Sequence, residues 1–534
     1  MKLDRRDAVK SLQRFLRFWL ERLEAAFDRI FGPAGNPFHR LGALGWFYYW
    51  IVLVSGIYLF IFFDTGVHAA YDSVEYLTHV QWYAGGIMRS LHRYASDALV
   101  VVMLIHLVRE FAFGRLYGPR SLAWLTGVPV VWFVYASGVT GYWLVWDKLA
   151  QYVAVVTSEW LDTLGIFGKA IARNFLNPEN LSDRFFTLMV FIHIAVPLIL
   201  LFVMWIHIQR IAKPDVNPPK ALALGNLAAL LALSLVFPAL SQGPADLDHI
   251  AARVNLDWFY LGGYPLLDVM SGTALWLIVG GASVFLFAMP WLLPRRSAPV
   301  AVVDLPNCNG CGRCGADCPY TAIRMQTRSD GLPYAQEALV DTGLCVSCGL
   351  CVGACPTATP FRRRSELVAG IEVPQLTAQA LRDAVVAAAS GLSGEARVLV
   401  FGCQGGPDLR PIASTAVAPI VLPCVGQLPP AFLDFIISRG HADGVLFTGC
   451  REGACDYRFG IEWTEARLDG RRDPRLRARV PRERIHRCWC GSSGGVTLAD
   501  ELAVFRRKLT SLGPYHRAPS IAEAPPASVP EAVP

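Results

Sequence analysis

The sequence predicts a multidomain chain: an all-α bundle of membrane helices, then an α+β module, then an α/β module. Three observations predict it. The 534-residue chain is 53% hydrophobic with mean hydropathy +0.37, and nearly all the apolar excess lies before residue 295, so a membrane half precedes a soluble half. All fourteen cysteines lie between Cys308 and Cys490, at spacings of metal ligands rather than disulfide partners. Four histidines of the apolar half form two pairs, His92 with His106 and His193 with His207, each fourteen residues apart. The net charge of +6 is dispersed, and without a basic tract it argues against nucleic acid as a partner.

Residues 1–35 form the first element. Charges run throughout its first thirty residues, so no secretory signal is evident there. Val9, Leu12, Leu16, Trp19, Leu20, Leu23, Phe27 and Ile30 recur at helical spacing with Arg and Lys between them, the pattern of an amphipathic helix on a membrane surface. Six spans are expected, near 41–63, 87–111, 122–146, 184–210, 221–240 and 271–293. Arg5, Arg6, Lys10, Arg109, Arg115, Arg120, Arg210, Lys213, Lys220, Arg295 and Arg296 fall at one set of span ends. Asp64, Asp72, Glu75, Asp147, Glu159, Asp246, Asp248 and Asp257 fall at the other. The positive-inside rule then makes both termini and the cysteine-rich half cytoplasmic, in a bacterial-type inner membrane.

Fourteen residues of α-helix turn through roughly 1400° and rise ~21 Å. Each histidine helix therefore presents two imidazoles on nearly one face, one near each side of a hydrocarbon core ~30 Å thick. Two such helices side by side make two stacked bis-histidine sites, the ligand sets of two b-type haems. Gly42 and Gly56 repeat the interval in the first span, and Gly127 and Gly141 in the third, where a missing side chain lets a flat macrocycle approach the backbone. The competing readings are proton relay or polar packing for the histidines and helix packing for the glycines. The shared period favours a four-helix di-haem bundle (36–220) with two further membrane helices (221–296).

AYDSVEYL (70–77), GGIMRSLHRYAS (85–96), HLVRE (106–110), TGYWLVWD (140–147) and HIQRIAKPDVNPP (207–219) resemble the cytochrome b of quinol-oxidising bc-type complexes. The resemblance implies that His92 pairs with His193 on an outer haem and His106 with His207 on an inner one. It also implies that Arg89 and Arg109 meet haem propionates, and it is compatible with a homodimer. The family's Leu-Pro-Trp stands here as Leu144-Val145-Trp146. Where the family carries Pro-Glu-Trp-Tyr at its outer quinol site, this chain has Leu256-Asp257-Trp258-Phe259. Asp257 is thus the candidate acceptor of a quinol proton, weighed against an ordinary acidic loop residue.

The soluble half opens with Cys308, Cys311, Cys314 and Cys318-Pro319 in the spacing C-x2-C-x2-C-x3-C-P, repeated by Cys345, Cys348, Cys351 and Cys355-Pro356. This is the bacterial ferredoxin signature for two 4Fe–4S clusters, in which the fourth cysteine of each run ligates the other run's cluster. Cys308, Cys311, Cys314 and Cys355 then hold one cluster and Cys345, Cys348, Cys351 and Cys318 the other, in a domain over 297–362. Zinc would not need the duplicated third and fourth cysteines. Residues 363–395 read as a connector with some helix.

From 396 to 513 the pattern is α/β. Strands are expected at 397–402, 419–423 and 444–449 and a helix near 429–438, with Cys403, Cys424 and Cys450 after the strands and Cys455 close behind. Residues at the carboxyl ends of parallel strands converge on one sheet edge, and four converging thiolates suit a 2Fe–2S cluster or zinc. PCVGQLPPAFLDFIISRGHADGVLFTGCREGACDYRFG (423–460) resembles the iron–sulfur delta subunit of methyl-viologen-reducing hydrogenase. The resemblance implies a 2Fe–2S cluster on Cys403, Cys424, Cys450 and Cys455, and electron exchange with a heterodisulfide-reductase-type flavoprotein. That family often has more than one cysteine at its first strand; here Cys488 and Cys490 stand as further ligand candidates. Gly405-Gly406 completes no dinucleotide motif, and the Pro/Ala-rich residues 514–534 read as disordered. The expected function is an oxidoreductase subunit linking a cytoplasmic flavoprotein to quinone through two haem b, two 4Fe–4S and one 2Fe–2S, with electron flow in either direction. The competing functions are a transporter or proton relay, and a structural anchor for a hydrogenase-type complex.

Overall fold

The computed structural model describes residues 5–166, 181–209, 213–249, 253–292, 299–361 and 367–515. Arg210, Arg295, Arg296, the Arg362–Arg364 run and nearly all of the 514–534 tail lie outside them. The chain divides into two units, Met1–Arg296 and Ser297–Pro534.

The first unit is helical. Helix α1 (Arg5–Gly35) kinks at Gly32, where φ is 71° and Pro33 follows. Its carboxylate face packs inward: Glu21 and Glu24 are buried, while Leu12, Phe15, Phe18, Trp19, Leu23 and Ile30 are exposed, which suits an apolar face turned toward lipid. Helix α2 (Leu41–Phe62) follows; then α3 (Ala69–Glu75) and two π-turns lead into α4 (Ile87–Ala112). Next come α5 (Ser121–Val145), α6 (Lys148–Asp162), α7 (Asp183–Gln209), α8 (Lys220–Val236), the short α9 (Trp258–Leu261) and α10 (Leu266–Val269), and α11 (Gly272–Leu292).

Among the described residues four helices are long and apolar enough to cross a membrane: Pro37–Phe62, Ser121–Val145, Asp183–Gln209 and Gly272–Leu292. Helix α4 matches them at 26 residues but carries Arg89, Arg93, Asp97, Arg109 and Glu110. At the expected span 221–240, α8 has 17 residues, about 25 Å. It stops at Val236, where Phe237-Pro238 disfavours helical backbone. The amphipathic α6, unmarked in the sequence reading, is N-capped by the Asp147 carboxylate, which accepts from Ala150 N at 2.8 Å.

The second unit begins with two antiparallel strand pairs. β1 (Val302–Val303) pairs with β4 (Ile371–Glu372), and β2 (Ile323–Thr327) with β3 (Gln336–Val340). Between them lie the short helices α12 (Arg313–Asp317) and α13 (Leu350–Ala354). The segment read as a connector is built into both halves of this unit, since β4 belongs to it and α14 (Ala378–Ser390) packs on the next sheet. Four parallel strands make that sheet in the order β6-β5-β7-β8: β5 (Val398–Cys403), β6 (Val417–Leu422), β7 (Gly444–Thr448) and β8 (Ile485–Cys488). Helices α15 (Pro430–Ser438), α16 (Gly460–Leu468) and α17 (Gly495–Leu512) complete it. Strand order reverses between β5 and β7, the switch point where sites form in such sheets.

Candidate redox sites

Helix α2 packs along α4, and α5 along α7, so each glycine helix faces one histidine helix. A Cβ on Gly56 would meet His92 Cε1 at 3.0 Å, on Gly141 His193 Cε1 at 2.8 Å, on Gly127 His207 Cε1 at 3.4 Å and on Gly42 His106 Cε1 at 3.8 Å. All four glycines are therefore clearances for the four imidazoles. The His92 and His193 rings lie edge to face, with planes at 65° and centroids 6.2 Å apart. Two imidazoles on one metal, with bonds of ~2.0–2.1 Å, put their centroids roughly 6 Å apart; the pair fits one iron.

Their tautomers follow from their partners. His92 Nδ1 lies 2.9 Å from Val52 O, and His193 Nδ1 3.0 Å from Ser137 O. A carbonyl only accepts, so Nδ1 carries the proton in each and Nε2 keeps its lone pair for a metal. A second partner is absent from the sequence reading: the hydroxyl residue preceding three of the glycines. Ser55, Thr140 and Thr126 approach Nδ1 of His92, His193 and His207 at 3.2, 3.3 and 3.0 Å. Each hydroxyl donates to its own helix, to Ile51 O, Ala136 O and Leu122 O, so its oxygen is left to accept from the imidazole. Leu41 occupies the fourth such position, and among the described residues His106 has no hydrogen bond.

The two arginines are met by protein groups. Arg109, buried, binds Glu24 Oε1 through Nε at 2.8 Å, while its buried Nη2 has no partner. Arg89 reaches Glu75 at 3.6 Å, Ser241 Oγ at 2.8 Å and Thr78 Oγ1. Asp257 is 6% exposed and caps α9: Oδ1 accepts from Phe259 N at 2.9 Å, and Oδ2 from Arg93 Nη2 at 2.9 Å and from the Tyr142 hydroxyl. The Tyr260 ring sits where a side chain on Gly138 would be, so α9 lodges against α4 and α5. Tyr135 and Tyr142 flank that ring.

In the second unit Cys308, Cys311, Cys314 and Cys355 line one cavity, and Cys318, Cys345, Cys348 and Cys351 another. The turns that bring the cysteines together need glycine: Gly312 and Gly349, with φ of 73° and 78°, open α12 and α13. Burial pushes the Cys314 and Cys348 thiols up to about 12, so thiolate ligation there depends on the positive charge of a metal.

At the carboxyl edge of the parallel sheet, Cys403, Cys424, Cys455 and Cys450 form a closed ring in which each thiol hydrogen-bonds two others. Cys403 and Cys455 accept and are held well below the ordinary thiol range; Cys424 and Cys450 donate and are pushed well above it. A side chain at Gly460 would strike the Cys424 sulfur, and one at Gly449 would lie 2.7 Å from that of Cys403. Cys488 ends β8, a strand the sequence reading lacked, and hydrogen-bonds Cys490 outside the ring. That bond pushes Cys488 up and draws Cys490 down to about 7.

The ring and the nearer ferredoxin cavity are one structure. Cys348 shares an apolar cluster with Cys403, Cys424, Cys450 and Cys455. Buried Arg467 bonds Asp317 Oδ2 at 2.5 Å, Gly426 O at 2.9 Å and Leu350 O at 3.3 Å, fastening the two halves together. Cys311 of the other cavity is exposed.

Fold and sites together define a membrane bundle with paired imidazoles joined in one chain to cysteine-walled redox modules. Residues 28–214 match the family Cytochrome b/b6/petB, residues 307–359 the 4Fe-4S dicluster domain and residues 410–513 Methyl-viologen-reducing hydrogenase, delta subunit. The chain thus carries a cytochrome b/b6 domain, a 4Fe–4S dicluster ferredoxin domain and a hydrogenase-delta domain in that order, and it is a membrane redox electron-transfer subunit with haem b and 4Fe–4S. Among similar proteins, cytochrome b6 of Porphyra purpurea is 28% identical over 192 residues, covering 35% of this chain and 87% of the relative. Cytochrome b6 of Prochlorococcus marinus (strain NATL1A) is 29% identical over 192 residues, covering 35% and 86%. A solved chain of a hyperthermophilic respiratory Complex III aligns with TM-score 0.41 at 19% identity, covering 47% of this chain and 74% of that one.

Proposed function

We propose that this chain carries electrons between a cytoplasmic oxidoreductase of the flavin or heterodisulfide-reductase type and the membrane quinone pool, through iron–sulfur clusters and two b haems. His92 and His193 hold one haem and His106 and His207 the other; bound there, the haems supply one-electron chemistry to a two-electron quinone. The partnerless Nη2 of Arg109 receives a propionate, and Arg89 serves the other haem. Cys308, Cys311, Cys314 and Cys355 hold one 4Fe–4S cluster, Cys345, Cys348, Cys351 and Cys318 the second, and the Cys403–Cys424–Cys455–Cys450 ring a 2Fe–2S cluster. The quinone step lies at the His92 end beside Asp257, where Trp258 and Phe259 are exposed and offer an apolar approach from lipid. The positive-inside distribution supports a cytoplasmic position for the iron–sulfur unit and both termini. Midpoint potentials decide the direction; inward flow from quinol works against the membrane potential at ~2.3 kcal/mol per charge per 100 mV.

The observation that carries this reading is the His92–His193 pair, 6.2 Å apart, with both Nδ1 atoms tied to carbonyls. A redox titration of the purified protein, optical for haem and by paramagnetic resonance for clusters, tests it: two b haems and three clusters are expected. No haem band at all sinks the reading. Loss of the 2Fe–2S signal alone removes only the ring assignment.

A further inference from the structure

Asp257 has a second carboxylate beside it. Asp97 lies on α4, 8% exposed within the apolar bundle, and its side chain meets that of Asp257. One guanidinium serves both: Arg93 Nε bonds Asp97 Oδ2 at 3.2 Å, and Arg93 Nη2 bonds Asp257 Oδ2 at 2.9 Å. Both oxygens of Asp257 are engaged by Phe259 N, Arg93 and Tyr142. Asp97 Oδ1 is buried with no hydrogen-bond partner. Tyr142 lies under the Arg93 guanidinium at 5.0 Å, and Tyr260 bonds Ser96 Oγ at 2.6 Å with Tyr135 alongside. These phenols and the hydroxyl are neutral.

Two carboxylates on one cation leave a surplus negative charge at membrane depth, where such charge is costly. An unpaired buried acceptor is costly as well. A proton on Asp97 Oδ1 removes both penalties at once, because it neutralises the surplus charge and turns the acceptor into a donor. A carboxylate that served only to pair Arg93 would duplicate what Asp257 already does.

We propose that Asp97 is a second proton-accepting carboxylate of the quinone site, so that Asp97 and Asp257 take one proton each when a quinol is oxidised. The proposal rests on the quinone site placed above. Oxidation breaks the two O–H bonds of the quinol and leaves a quinone. One proton joins Asp97 Oδ1 and one joins Asp257, while the two electrons reduce two ferric haem irons, one each. Quinone reduction is the reverse. Asp97 acts first, because its oxygen is the one without a competing donor.

The test uses the full-length, haem-loaded protein. Asp97→Asn should slow quinol-driven haem reduction about a hundredfold and flatten its pH profile, with the dithionite-reduced haem spectrum unchanged. Infrared difference spectra on quinol addition should lose one protonated-carboxyl C=O band in Asp97→Asn and keep it, shifted, in Asp97→Glu. If Asp97→Asn does not fold, Asp97→Glu carries the test through the position of that band. Wild-type rate with an unchanged band in Asp97→Asn overturns the proposal while leaving the quinone site intact. An unsubstituted protein that quinol cannot reduce removes the quinone site itself, and Asp97's role with it.

Discussion

The two ends of the histidine bundle share a ligand spacing and little else. At the His92 end both imidazoles donate to backbone carbonyls, both have a hydroxyl as second acceptor, and Arg93, Asp97, Asp257 and three tyrosines form a polar nest beside them. At the His106 end His207 is tied by Thr126 and by the Ala123 carbonyl, His106 by nothing among the described residues, and the polar surroundings are Arg109, Glu110, Arg115 and Glu24, the last supplied by α1. A fourteen-residue period places ligands in register. What a ligand set does is decided by its neighbours, some on the same helix and others brought by α1, α2, α5 and α9.

The largest effects fall on the ligands themselves. His193→Ala should halve the haem per protein in a pyridine haemochrome assay, and His207→Ala should do the same at the other end. Two haems remaining in either variant would break the pairing. The glycines sharpen the contrast. A methyl on Gly141 lies 2.8 Å from His193, closer than side chains pack, whereas on Gly42 it lies 3.8 Å from His106, an ordinary contact. Gly141→Ala should therefore lose haem and Gly42→Ala should keep it.

Next in size is the buried pair that fastens α1 to α4. Glu24→Ala takes from the buried Arg109 guanidinium its carboxylate at 2.8 Å and leaves only Glu110 at 3.9 Å, a loss that falls toward the lower end of the roughly 3–5 kcal/mol typical of a broken buried pair. The expected result is a lower thermal midpoint and protease sensitivity of the first thirty-five residues, with the His92-end haem spectrum unmoved. A spectral change at that end instead would mean the two ends are mechanically coupled.

How much of this was legible in the sequence depends on how local the geometry is. His92 and His106 declare themselves because one helix holds both, and the cysteine runs do so because C-x2-C spacing is a property of one turn. Cys403, Cys424 and Cys450 were legible because parallel strands end on one edge. The strand that ends at Cys488 was not, because it is four residues long and carries no apolar run; Cys488 itself was a ligand candidate and lies outside the ring. The Asp97–Arg93–Asp257 nest was invisible for another reason: Asp257 lies 160 positions beyond Asp97, and only the seating of Tyr260 on Gly138 brings α9 to α4. Glu24 carries no mark in the sequence and is nonetheless buried, since α1 turns its apolar side outward and its acids toward Arg109.

The smallest effect concerns the hydroxyls, and it discriminates most finely between the ends. A hydrogen bond from Nδ1–H to an acceptor makes the imidazole a stronger donor to iron and favours the ferric state. Thr126→Val removes one of the two acceptors of His207, the other being the Ala123 carbonyl, so the potential of that haem should rise. A bond worth about 0.5–1.5 kcal/mol corresponds to roughly 20–60 mV for one electron. Thr140→Val should do less, because its hydroxyl lies 3.3 Å from the imidazole against 3.0 Å for Thr126, while each imidazole keeps a backbone carbonyl. Leu41→Thr supplies the missing hydroxyl beside Gly42 and should lower the His106-end potential by a similar margin. Spectroelectrochemical titration of the three variants orders the shifts. Equal shifts from Thr126→Val and Thr140→Val would show that the difference in hydroxyl distance carries no weight, and that the two ends differ less than their surroundings imply.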